Sequence, residues 1–118
     1  MADAGLFIGW GEAVRGREGQ AIELFDEVIA YYGRLQEEGT IESFEPVFLE
    51  AHGGDLSGFV LIRGDAEKLA QLRVSDEFTQ FTLRALLVVD NFGVVGADLA
   101  ERLQRQMEFY AEQIGAFA

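Results

Sequence analysis

His52 is the only histidine in the chain, and Glu50 and Phe48 precede it by two and four residues. In an extended strand these three side chains share one face. An imidazole beside a carboxylate has the elements of a general base near neutral pH. The same place, directly before Gly53-Gly54-Asp55, equally suits a rim residue bonded to its own turn. His52 and Glu50 are therefore the candidate catalytic pair, and no other residue is given a catalytic role. Glu42, Glu45 and Glu50 fall on a stretch expected to be partly buried. A carboxylate in an apolar cleft has a raised pKa and can shuttle protons, whereas pairing with Arg63 across a hairpin makes such a group structural. Trp10, Phe44, Phe48 and Phe59 are candidates to line a pocket for a flat apolar ligand, because pockets are mostly apolar with few polar groups. Core or subunit packing would use the same rings.

Other chemistries lack their parts. The chain has no cysteine, so disulfides and thiolate metal sites are excluded. One histidine cannot pair with a second, and the acidic residues have no metal-ligand spacing around it; no metal and no cofactor is expected. Gly9-Trp10-Gly11 begins like a dinucleotide fingerprint, but Val14 stands where the third glycine belongs. Gly11 to Gly16 has phosphate-loop spacing, but Arg17-Glu18 follows in place of the lysine and hydroxyl that carry that chemistry. Ser43, Ser57 or Ser75 could be written into a Ser–His–Asp set, yet none sits in a nucleophile-elbow motif.

Composition narrows the partners. The net charge is −12, with one lysine and eight scattered arginines. Such a field repels nucleic acid and anionic lipid. No apolar run approaches the ~20 residues of a membrane span, and no leading segment has the make-up of a signal peptide. The absence of cysteine fits a reducing, cytoplasmic setting. At 118 residues and 49% apolar composition, residues 1–118 are expected to form one domain with a sizeable core.

The elements that would position these side chains can be read in order. Leu6 to Val14 reads as a strand with Leu6, Ile8 and Trp10 on one face. Gln20 to Glu38 reads as a helix, with Ile22, Phe25, Val28, Ile29, Tyr32 and Leu35 at three- and four-residue spacing. Tyr31 and Tyr32 suit core or rim packing. Thr40 to His52 and Phe59 to Arg63 read as a hairpin that is apolar on both faces, with Pro46 marking its first strand as an edge or a bulge. Asp65 and Ser75 are candidate N-caps of a broken helix, Asp65–Leu72 and Asp76–Leu87, whose second piece carries Phe78, Phe81, Thr82, Ala85 and Leu86. Phe92 to Ala97 is the last strand. A C-terminal helix then carries Leu99, Leu103, Met107, Tyr110, Ile114 and Phe117 on one side.

The order β-α-β-β-α-β-α predicts an α+β, ferredoxin-like βαββαβ antiparallel sheet with an extra C-terminal helix. Its two main helices cover one sheet face. The other face is apolar too, and the cheapest cover is a second copy in a two-fold dimer; the C-terminal helix is the competing cover. Gly16-Arg17-Glu18, Ile41-Glu42-Ser43, Pro46-Val47-Phe48-Leu49, His52-Gly53-Gly54-Asp55, Asp76-Glu77-Phe78 and Asn91-Phe92-Gly93-Val94-Val95 carry a resemblance. With this pattern the chain resembles the dimeric α/β-barrel superfamily, in which two ferredoxin-like subunits pack sheet to sheet, and within it a group of small uncharacterised bacterial proteins. The resemblance implies the fold and a homodimer. Relatives in the superfamily include cofactor-independent monooxygenases, haem-degrading enzymes, isomerases and cyclases. A haem-binding variant would require His52 as axial ligand. The expected function is a homodimeric module binding a small, mostly apolar ligand. The alternative is a cofactor-independent monooxygenase or isomerase acting on a small aromatic or lactone-like substrate.

Overall fold

The computed structural model describes residues 2–117. Strand β1 (Ala4–Trp10) leads into helix α1 (Glu18–Glu37), and strands β2 (Ser43–Phe48) and β3 (Gly58–Gly64) form a hairpin. Helices α2 (Ala66–Arg73) and α3 (Asp76–Val88) precede strand β4 (Gly93–Asp98) and helix α4 (Ala100–Ala116). The four strands form one sheet in the order β2-β3-β1-β4. Every pairing is antiparallel.

Pro46 lies in β2 opposite Val60, and β2 is an edge of the sheet, where a residue without an N–H leaves no ladder bond unmade. The strand is shorter than its apolar pattern predicts. Leu49 still donates its N–H to the Ser57 carbonyl at 2.9 Å, but the ladder ends there and the chain enters the turn. Gly53 takes φ +83°, a conformation that a side chain would strain. Strand β1 likewise stops at Trp10 rather than Val14; Ala13 makes only an isolated bridge to Val89.

Even-numbered residues of β1 and β3 face the helices. Val60 and Ile62 are 1% and 0% exposed, and Leu6 and Ile8 pack beside them. Burying a side chain of this size contributes about 1.5–3 kcal/mol, so this strip anchors the fold. Helix α1 buries Leu24, Tyr31, Tyr32 and Leu35, while Ile22, expected in the buried stripe, is 65% exposed. The cause is α3: it runs alongside α1, so α1 has a second face to cover. Helix α3 correspondingly buries Val88 and leaves Leu86 exposed.

The broken helix is set by its caps. The Asp65 carboxylate accepts from the Lys68 N–H at 3.1 Å. Ser75 Oγ donates to the Leu72 carbonyl at 2.7 Å and accepts from the Phe78 N–H at 3.4 Å, ending one helix and starting the next. Each such cap is worth about 1 kcal/mol.

The odd-numbered face of the sheet carries none of these helices. Phe7 stacks on Phe59 there, with ring centroids 5.0 Å apart. Leu61 and Val95 flank Phe7 in register, and Val95 is 54% exposed. Helix α4 does not cover this face. Its main contact is with β4, and every residue from 100 to 117 is exposed. The sequence expectation that α4 could serve as the second cover is therefore corrected within the single chain.

Candidate functional site

At the C-terminal end of β1, helices α1 and α3 stand apart over the sheet and leave an apolar cleft of about 540 Å³. Among its lining residues Ala13 after β1, Ala21 on α1 and Ala85 on α3 are small, where larger side chains would narrow the space. Aromatic rings form the walls. Trp10 lies 5.9 Å from Phe25 and 6.1 Å from Phe48, and Phe25 lies 5.1 Å from Phe48. Phe78, Phe81 and Phe92 close the opposite side. The indole is placed by Gly58, its cross-strand partner: a Cβ there would come within 2.7 Å of Trp10 Cζ2. Ile22 and Phe48, 65% and 70% exposed, stand at the open mouth.

Polar groups in the lining are few: Glu18, Asp26, Thr82 and Tyr32. Glu18 Oε1 accepts from the Gly16 N–H at 2.9 Å, which ties it to the start of α1. Two ion pairs bridge α1 and α3, Arg34–Glu77 at 2.7 Å and Arg84–Glu27. All four side chains are about half exposed, so each pair is worth at most about 1 kcal/mol.

Tyr31 and Tyr32 are the groups with shifted ionisation. Burial raises the Tyr32 hydroxyl far above its ordinary value of 10.0, and Tyr31 adds to the effect. Burial also raises Tyr31, opposed by its hydrogen bond with Ser75. The folded chain therefore keeps both protons at a pH where the unfolded chain has released them. This stabilising term is complete below the ordinary tyrosine value and is lost as pH rises from there through the raised values of the folded chain. Chemical denaturation across alkaline pH should show the urea midpoint falling from about pH 10 upward. A flat midpoint there would contradict the burial of these hydroxyls.

The sequence candidates separate in space. Trp10 and Phe48 line the cleft. Phe44 packs on the buried Tyr32 ring at 5.8 Å, and Phe59 lies on the opposite sheet face against Phe7. His52 and Glu50 are exposed and line no part of the cleft. His52 Nδ1 accepts from the Gly54 N–H at 3.2 Å and Nε2 donates to the Leu56 carbonyl at 2.8 Å. Both ring nitrogens are thus engaged by the hairpin turn. Glu45 pairs with Arg63 at 3.6 Å, and Glu42 is exposed beyond the strand. No cluster of three or more metal-ligating side chains occurs among the described residues. No helix there is long and apolar enough to cross a membrane.

Phe25, Phe81 and Phe92 were not among the residues expected to line a pocket. Phe25 and Phe81 fall on helical stripes that read as core, and their role as cleft walls depends on which small residues face them across the gap.

No known protein family matches the sequence, and no curated protein matches it. Solved structures do. A dimeric ferredoxin-like protein of unknown function from a Jannaschia species superposes with a TM-score of 0.60 at 15% identity, over 82% of this chain and 98% of its own. A dimeric protein of unknown function and ferredoxin-like fold from Bacteroides fragilis gives 0.58 at 7%, over 81% and 96%. This chain has the ferredoxin-like fold. The cofactor-independent oxygenase SnoaB of Streptomyces nogalater shares that ferredoxin-like arrangement, with a TM-score of 0.54 at 14% identity, over 84% and 95%. These neighbours are covered almost to their ends. The part of this ferredoxin-like chain left outside the matches is about the size of α4 with its flanking residues.

Proposed function

We propose that the protein is a homodimer, paired sheet to sheet as a dimeric α/β barrel, that binds a small, mostly apolar molecule in the cleft between α1 and α3. The observation that carries the binding role is the cleft itself: a volume in the range of ligand sites, walled by aromatic rings, with few polar groups. The pairing is supported by the open sheet face around Phe7, Phe59 and Leu61, and by the dimeric state of two neighbours with this fold. A cysteine-free, acidic chain of this kind suits the cytoplasm.

A cofactor-independent monooxygenase or isomerase would use the same cleft, and SnoaB is an oxygenase with this fold. No histidine lines the cleft, and His52 is bonded into its turn. Binding without turnover is therefore the reading we favour. His52→Ala tests only the part His52 would play in that alternative: once a substrate is in hand, an unchanged rate removes His52 from the chemistry.

Trp10 is the only tryptophan, so its indole N–H gives a single resonance that reports on the cleft. Titration with 1-naphthylmethanol, a neutral flat probe, is expected to shift that resonance saturably, with a Kd between micromolar and millimolar. No saturable shift would remove the binding role and leave the dimer standing.

A further inference from the structure

We infer that the α1–α3 cleft selects aromatic molecules carrying a positive charge, such as aromatic amines, over aromatic acids. The inference rests on the binding role proposed above and names the ligand class for that site.

Charge in the lining has one sign. Glu18 and Asp26 are the carboxylates at its edge, and no lysine, arginine or histidine is among the lining residues. Two arginines stand beside lining residues without being among them. Arg17 donates to the Leu87 carbonyl at 2.6 Å. Arg84 sits over the ring of the lining residue Phe81, 5.6 Å from its centroid, but its charge is paired with Glu27. Tyr32, the remaining ionisable group of the lining, stays a neutral phenol at neutral pH. The positive end of α1 opens near the same mouth and would favour an anion, but Glu18 stands in that first turn and occupies the place.

The walls act in the same direction. Aromatic faces present negative charge density and attract cations, the more so when water is excluded. Trp10, Phe25 and Phe48 line the same cleft as Asp26. The net charge of −12 adds a long-range field that repels anions and raises the local concentration of cations. An aromatic acid entering this cleft would lose its hydration and find no positive partner, while an amine would find Asp26 or Glu18 at the rim with its ring among the phenylalanines.

The test uses the full chain and three matched probes: 1-naphthylmethylamine, 1-naphthylmethanol and 1-naphthylacetate at neutral pH, followed by calorimetry and by the Trp10 indole resonance. The amine is expected to bind on the order of tenfold more tightly than the acid, with the alcohol between them. Added salt narrows the gap, and Asp26→Asn lowers the amine-to-acid ratio several-fold. An acid that binds as tightly as the amine overturns the inference, as does a ratio untouched by both Asp26→Asn and Glu18→Gln. If the alcohol binds without any charge preference, only the charge selection falls. If none of the three binds, the cleft is not a ligand site and the inference falls with it.

Discussion

Phe59→Glu is expected to leave the protein folded but monomeric. Phe59 stands on β3 in the sheet face that carries no helix, stacked on Phe7 at 5.0 Å and paired in register with Val47 and Gly9. Its side chain points away from Val60 and Ile62, so a carboxylate there leaves the helix-side core intact. In a sheet-to-sheet dimer the same position is buried twice, once per subunit. Each buried, unpaired carboxylate costs several kcal/mol, and the substitution puts two of them into the interface. The sum exceeds what an interface of ordinary size can spare, since stable pairs bury roughly 1,200–2,000 Å² and their net affinity is a small surplus. Sedimentation should give a single-chain mass with an unchanged far-ultraviolet dichroism spectrum. A dimer of undiminished affinity would place the interface elsewhere.

Ala21→Phe is expected to abolish probe binding while leaving the fold as stable as before or more so. Ala21 on α1 and Ala85 on α3 both line the cleft and sit in the small cluster with Leu24 and Val88. The gap is there because methyl groups stand where larger side chains would meet. A phenyl group at position 21 enters volume that no protein atom occupies, so it adds apolar contact without the strain of overpacking a filled core. The affinity for 1-naphthylmethanol should fall beyond measurement, and the urea midpoint should hold or rise. Binding that persists would mean the probe sits outside the cleft. A large loss of stability would mean the space is not free.

Much of the fold was legible because single residues decided it. Pro46 marked an edge or a bulge and stands on the edge strand, Ser75 broke a helix in two, and Gly53 set the hairpin turn; in each case a local backbone demand allows few residue types. The alternation Phe59, Val60, Leu61, Ile62 announced a sheet that is apolar on both faces, and the structure covers only the Val60–Ile62 side with helices. What the sequence concealed depends on neighbours far along the chain. A periodic stripe tells that α1 buries one face, but Tyr31 and Leu24 are buried because α3 lies alongside, and Ile22 is left at the mouth for the same reason. The apolar side of α4 reads as core from spacing alone, yet none of its residues is buried among the described residues.

The cleft was half legible. Trp10 and Phe48 were visible as aromatics on two strands, and both line it. Phe44 and Phe59 have the same residue type and similar surroundings in sequence, and register alone sends one to the Tyr32 core and the other to the opposite face. Empty volume has no sequence signature, because it arises from small residues on two helices some sixty positions apart. His52 and Glu50 show the reverse case: their types suggested chemistry, while the turn beside them takes up both imidazole nitrogens.

The central claim is that the helix-free sheet face is closed by a second copy of the chain. Sedimentation equilibrium of the unmodified protein at micromolar concentration tests it directly. We predict a mass about twice the 13.1 kDa of one chain. A stable, fully folded species with the mass of a single chain would contradict it.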